Sequence, residues 1–342
     1  MTPLVSIIIP GYNRPGPLRY TLRSAARAAD ALAPASVEII IVDDGSVPPL
    51  EEQLAGFDPG YPVVHLHQPN QGSIIARLTG LNASRGERIL FLDSDDLIHP
   101  EKLTRHLDVA GREDADITYD DMAVATLGTG FTSNFEKGPS LPACTTSHEL
   151  FLRIQPAPHN PVYRRAYLVR ALVNPLVKPE RRMDPSGDVW LYYNLAHLPA
   201  RIAKIDASLT AAGPHEDARY SQHWEKLGVA SLLVAESFQR ACPHSEPTHA
   251  ARKLAGEVAF SSWRRLPADY HTEFALRHLA LWRLAPHGSV DALGGRFFVI
   301  TARLLGPVFA GKLLKRIFGH TYASCRTLND AELMRLMHDH GI

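Results

Sequence analysis

Three carboxylates fall within four positions at Asp93-Ser94-Asp95-Asp96, directly after the apolar run Ile89-Leu90-Phe91-Leu92. A short, bounded apolar run reads as a buried strand, so the acids stand where that strand leaves its sheet. Acids crowded there repel one another, and burying each charge is costly unless a cation accompanies it. Mg or Mn is the simplest companion, because hard divalent cations favour carboxylate oxygens. The same residues also suit a polar turn with a helix N-cap at Asp96.

Other chemistry-bearing residues lie at similar places. Asp43 follows the strand expected over 37–42, in Val42-Asp43-Asp44-Gly45-Ser46. A carboxylate there can accept a base N–H such as N3–H of uracil, or form an Asx turn. Arg77 falls inside a helix that opens after Asn70-Gln71-Gly72, where it can meet a phosphate, stack on a base or simply face water. Asp188 begins a helix after Asp184-Pro185-Ser186-Gly187. The helix dipole favours an acid in a first turn, and a general base needs a carboxylate near the acceptor hydroxyl. His215, after Gly213-Pro214, is a loop histidine that could touch a leaving phosphate or serve no specific role.

The elements that position these groups follow from periodicity. Strands are expected over 5–10, 37–42, 63–66, 87–92 and 116–119, with helices over 15–33, 48–57, 73–83 and 100–110. Alternation of this kind gives an α/β fold with a mostly parallel sheet flanked by helices. Ligands of such sheets bind at the carboxyl ends of the strands, where Tyr12-Asn13-Arg14, Asp43-Asp44 and Asp93 to Asp96 all fall. An irregular stretch over 122–161 suggests loops or an antiparallel excursion. Helices over 162–172 and 188–197, a Pro- and Arg-rich loop over 175–185 and a strand over 203–209 follow. Beyond about Ser221 long helical patterns dominate, over 224–241, 249–263, 270–284 and 330–340. The expected division is 1–220 and 221–342.

The 342 residues carry 36 basic and 36 acidic side chains, so net charge gives no reason to expect nucleic acid. Cys144, Cys242 and Cys325 are scattered and form neither a metal spacing nor a disulfide framework, which points to a reducing cytoplasm. The N-terminus lacks a signal-peptide pattern, and no window is apolar for long enough to span a bilayer. No Walker A loop, Rossmann glycine fingerprint or His-Glu-x-x-His motif occurs.

Four ordered segments together resemble family 2 glycosyltransferases of the GT-A fold. They are Val5-Ser6-Ile7-Ile8-Ile9-Pro10-Gly11-Tyr12-Asn13-Arg14, Val42 to Ser46, Asn70-x-Gly72 through Ala76-Arg77-x-x-Gly80, and Leu92 to Asp96. They cover about the first 110 residues. Further on, Gly187-Asp188-Val189-Trp190 resembles the family's Glu-Asp helix start, with Gly187 in place of the usual Glu. The resemblance implies an inverting, metal-dependent transferase using a nucleotide sugar, first of all a UDP-sugar, with dTDP- and GDP-sugars compatible. It implies that Asp43 reads the nucleobase, with Pro10, Tyr12 and Arg77 lining its pocket and Asn13, Arg14, Asp44 and Ser94 nearby. Asp95 would bind Mg or Mn, Asp93 the ribose or the metal shell, and Asp188 would be the catalytic base. His215, followed by Ser221, resembles the family's loop over the diphosphate.

Acceptor contacts are expected within 122–185, with His159, Asn160 and Arg164 as candidates. The C-terminal segments 296–305 and 307–318 are basic and amphipathic, as helices lying on an anionic membrane surface would be. That suits a saccharide or lipid-linked saccharide acceptor in cell-envelope polysaccharide assembly and a peripheral place at the cytoplasmic face. A helix pair packed on the catalytic domain is the alternative. Two other functions compete with transfer: a sugar nucleotidyltransferase, which would carry a Gly-rich basic loop near the first strand, and a non-catalytic nucleotide-sugar binding module.

Overall fold

A computed structural model describes residues 2–33, 35–214 and 223–341. Strand β1 (Val5–Gly11) is buried along its whole length, as its β-branched sequence requires. It lies between β2 (Val37–Asp43) and β4 (Arg88–Phe91), and β3 (Val63–His67) lies beyond β2, all four parallel. Among the described residues the sheet has nine strands, and it continues from β4 through β8 (Val162–Arg164), β6 (Ile117–Leu127) and β9 (Ile202–Ala211) to the two-residue β5 (Leu97–Ile98). β7 (Ser133–Lys137) forms an antiparallel hairpin with β6, the excursion expected in that stretch.

Helices cover both faces of the parallel strands. Ile7 and Ile9 share a core with Leu18, Leu22 and Ala25 of α1 (Pro15–Asp30) and with Leu50 of the short α2 (Leu50–Gln53). On the other face α3 (Ser73–Ala83) comes so close that a Cβ on Gly80 would stand 2.3 Å from Ile8 Cγ2, so only glycine fits there. α4 (Lys102–Arg112), α5 (Ser147–Glu149) and α6 (Arg165–Leu172) complete this part.

The chain separates into two compact units, Met1–Pro175 with Leu198–Asp217, and Leu176–His197 with Ala218–Ile342. The second is helical: α7 (Gly187–Ala196), α8 (Trp224–Ala241), α9 (Glu246–Arg265), α10 (Thr272–Leu284), α11 (Arg296–Leu305), α12 (Pro307–Phe318), α13 (Tyr322–Cys325) and α14 (Asp330–Asp339). Its core joins Phe260, Trp263, Leu279, Trp282, Phe298 and Ala310. No helix among the described residues is long and apolar enough to cross a membrane.

Two sequence expectations change. Segment 176–197, counted with the first 220 residues, packs in the helical unit, where Tyr193 meets Phe238 edge-on at 5.1 Å. Residues 162–164 are strand rather than helix start, because Tyr163 pairs with Ile89 on one side and Ile117 on the other. Pairing on both edges overrides local helical periodicity.

Candidate functional site

The parallel register sets Gly11 beside Asp43, and Ile8 beside Phe91. The loops leaving β1, β2 and β4 therefore open on one edge of the sheet. Pro10 is the penultimate residue of the buried strand, and Tyr12 stands half exposed beyond its end. Asn13 adopts a left-handed backbone with φ 52°. Its N–H donates to Ser46 Oγ at 2.9 Å and its Oδ1 accepts the Val47 N–H at 3.0 Å, so the first two loops are joined.

Asp43 is buried, and both of its oxygens are engaged. Oδ1 accepts the Ser46 N–H at 2.9 Å, Oδ2 accepts the Leu50 N–H at 2.8 Å, and His67 Nδ1 lies 3.2 Å from Oδ2. Burial raises its pKa, but the donors at Ser46, Leu50 and His67 outweigh that and hold it below the ordinary carboxylate value. Asp43 is thus both the holder of its own turn and a candidate acceptor, since a carboxylate offers about four lone-pair sites. Asp44 serves the third loop: it accepts from Gln68 Nε2 at 2.7 Å and from the N–H groups of Gln71 and Gly72 at 2.8 and 2.7 Å. Those bonds fix the start of α3, and with it Arg77.

Two arginines reach the acid cluster. Arg77, 5% exposed, donates from Nη2 to Asp93 Oδ1 at 2.6 Å. Arg14 donates from Nη1 to Asp95 Oδ2 at 2.9 Å. Ser94 between the two acids is buried. Asp96 does not cap a helix, since α4 begins only at Lys102 after Glu101. Its Oδ1 accepts the Gly213 N–H at 3.0 Å, and its Oδ2 lies 2.8 Å from His159 Nδ1. Gly213 is required by that approach, because a Cβ there would fall 1.8 Å from Asp95 O.

Donor atoms of Asp93, Asp96 and His159 lie within 4.8 Å of one another. The imidazole is 2% exposed, and neither ring nitrogen makes an aligned hydrogen bond, the 2.8 Å approach to Asp96 being an ion-pair contact. Burial lowers the His159 pKa, yet the charges of Asp96 and Asp93 overcome it and raise the pKa above the ordinary imidazole value. Two carboxylates and an imidazole fit a borderline divalent cation such as Mn, whereas Mg prefers an all-oxygen shell. The expected metal pair was Asp93 with Asp95. The acids whose donor atoms gather with an imidazole are Asp93 and Asp96, while Asp95 turns to Arg14.

Behind His159 lies a polar cluster with no exposed surface. Lys102 Nζ donates to Asp120 Oδ2, to Thr210 Oγ1 at 2.7 Å and to the Asn160 carbonyl at 2.8 Å. His106 Nε2 lies 2.9 Å from Asp120 Oδ2, and burial followed by the Lys102 charge pushes its pKa down to about 4. Asn160 exchanges hydrogen bonds with the Asp120 backbone at 2.9 and 3.1 Å. Asn160 is therefore a core residue and does not line an acceptor site. Arg164 pairs with Asp114 and Asp116. Sequence reasoning missed Lys102 and Asp120, and their local patterns carry no signal of burial.

Asp188 occupies the first turn of α7, half-buried in the helical unit. His215 and Ser221 lie outside the described residues.

A profile of the family described as "Glycosyl transferase family 2" matches residues 6–173. The "Putative glycosyltransferase EpsH" of Bacillus subtilis (strain 168) is 39% identical over 115 residues, 33% of this chain and 32% of its own. The "Succinoglycan biosynthesis protein ExoO" of Rhizobium meliloti (strain 1021) is 30% identical over 179 residues, 48% of this chain and 49% of its own. The matches thus span a third to a half of these relatives. Among solved structures, S. aureus TarS 1-349 in complex with UDP-GlcNAc superposes with a TM-score of 0.63 at 19% identity, covering 95% of this chain and 93% of that one. The mannosyltransferase PcManGT from Pyrobaculum calidifontis, in complex with GDP-Man and Mn2+, gives 0.53 at 13% identity, over 99% and 87%. At such identities the likeness is one of fold.

Proposed function

We propose that this chain, whose residues 6–173 match the profile of glycosyl transferase family 2, acts as a member of that family and moves a sugar from a nucleoside-diphosphate sugar to a hydroxyl of a saccharide acceptor. The observation that carries this reading is the convergence of Arg14, Arg77, Asp93, Asp95, Asp96 and His159 at the ends of parallel strands. Such a rim combines cationic groups for a diphosphate with acids for a cation. The TarS complex with UDP-GlcNAc supports a uridine donor. The naming of ExoO for succinoglycan biosynthesis supports a role in polysaccharide synthesis, for which we take a saccharide or lipid-linked saccharide of the cell envelope as the acceptor.

In this reading the acceptor oxygen bonds to the anomeric carbon as the bond from that carbon to the diphosphate oxygen breaks. The electron pair leaves with the nucleoside diphosphate, and one displacement inverts the anomeric centre. The acceptor proton passes to the Asp188 carboxylate. Its carboxylate stands in the first turn of α7, at the positive end of the helix dipole, and late deprotonation of the hydroxyl makes a modest base sufficient. Asp43 has acceptor capacity for a base N–H, and Arg77, set by Asp44, aligns the donor. Asp93, Asp96 and His159 would hold a divalent cation such as Mn, with Asp95 within the same loop. That cation would neutralise charge on the departing diphosphate.

The test is a panel of nucleotide sugars with Mn, monitored by release of the nucleoside diphosphate. Asp188→Asn should lower turnover by about 10²–10⁴-fold while UDP binding persists. Undiminished release in that variant removes Asp188 as the base, and no release from any donor by the parent leaves only a binding module.

A further inference from the structure

From Ala292 to Asn329 the chain contains no acid, yet it contributes Arg296, Arg303, Lys312, Lys315, Arg316 and Arg326. Part of this charge lines a cleft of about 660 Å³ in the helical unit. Arg264 and Arg265 enter it from the end of α9, Arg296 from the start of α11, and Lys315 and His320 from the end of α12 and beyond. No carboxylate lines it. Among the described residues Arg264, Arg265, Arg296 and Lys315 have no carboxylate partner. Arg264 instead lies over the Phe298 ring at 3.9 Å, and Lys315 over Trp263 at 4.7 Å. Burial pushes Lys315 down to about 8, as a cation held without an anion should be.

The rim of this cleft is apolar and faces water. α11 buries Phe298, Val299 and Ala302 in its own unit, but it also exposes Phe297, Ile300 and Leu304, which share its opposite face. Phe318 at the end of α12 is 69% exposed and meets Phe297 edge-on at 6.4 Å. A helix apolar on both faces is out of place at a water boundary.

We propose that α11 and α12 dock on a bilayer containing anionic phospholipid, with a headgroup phosphate in the arginine-lined cleft and Phe297, Ile300, Leu304 and Phe318 among the acyl chains. Charge and exposure together select this occupant. A second copy pairing through the same face would bring the uncompensated cations together. A free phosphoester would fill the cleft but leave the aromatic rim in water. The inference deepens the lipid-linked acceptor reading, and its test needs no sugar transfer.

The purified full chain is sedimented with phosphatidylcholine vesicles, alone or mixed with phosphatidylglycerol, at low and high salt. Binding to the mixed vesicles only, weakened by salt, is expected. Arg265→Glu with Arg296→Glu should cut it by at least about tenfold, since one cationic side chain at an anionic surface is worth about fivefold. Ile300→Ser with Leu304→Ser, at positions already in water, should cut it without changing the circular dichroism. Sedimentation with neither vesicle, or equally with both, overturns the proposal. So does release from mixed vesicles by soluble glycerol phosphate, which would mark the cleft as a free phosphoester site. Nucleoside diphosphate release by unbound protein keeps these outcomes separate from failure of the transferase reading.

Discussion

Arg77 Nη2 stands 2.6 Å from Asp93 Oδ1, so a helix on one face of the sheet is tied to the acid at the exit of a central strand. The pair is well shielded, with Arg77 side-chain exposure at 6% and Asp93 at 25%. Truncation as Arg77→Ala leaves Asp93 without that partner and should cost about 3 kcal/mol of stability. Arg77→Lys keeps the charge but loses the planar fork, so it should unfold close to the parent in urea while releasing nucleoside diphosphate more slowly. Equal rates in parent and lysine variant would remove Arg77 from donor alignment.

Cation binding separates two ligand sets. If Asp93, Asp96 and His159 hold Mn, His159→Ala should weaken Mn binding by at least about tenfold, read from the free-ion electron paramagnetic resonance signal. Asp95→Asn should weaken it less, because Asp95 is engaged by Arg14. The opposite ranking would return the metal to the Asp93 and Asp95 pair.

Lys102 and Asp120 test how the loop carrying His159 is held. Both are fully buried, and removing one leaves the other charge without compensation. Lys102→Met should cost about 3–5 kcal/mol, and adding Asp120→Leu should recover part of it. Urea midpoints measure both. A single variant as stable as the parent would show that the ion pair contributes no net support.

Acid should destabilise the fold before its carboxylates titrate. Burial pushes His106 and His278, one in each unit, down to about 4 from an ordinary 6.5. Above pH 6.5 both are neutral whether folded or unfolded and contribute nothing. Between 6.5 and 4 the unfolded chain takes up protons that the fold refuses, so stability falls with pH. At pH 5 the loss is about 2 kcal/mol for each histidine. His278→Leu should flatten that slope in denaturation between pH 7 and 5, and an unchanged slope would mean that His278 titrates normally in the fold.

Most of the first unit was legible because its signals are local. Apolar runs such as Val5 to Pro10 and Ile89 to Leu92 declare buried strands, and Asp43, Arg77 and Asp93 stand at fixed distances from them in the chain. Pro307 announced the start of α12 in the same way. Residues 162–164 were not legible, since their strand state depends on two neighbours far away in sequence.

The sequence by itself determined the alternation of strands and helices, the edge on which the polar loops gather, and the residue types available there. Chain neighbours within a few positions decide those matters. Only the tertiary structure decided which groups meet: Asp95 with Arg14, Asp96 with His159, Asp120 with Lys102, and segment 176–197 with the helical unit. These partners are 81, 63 and 18 residues apart for the three pairs. Contacts at such separation arise from packing, and periodicity, which reports only the face a residue occupies, does not encode them.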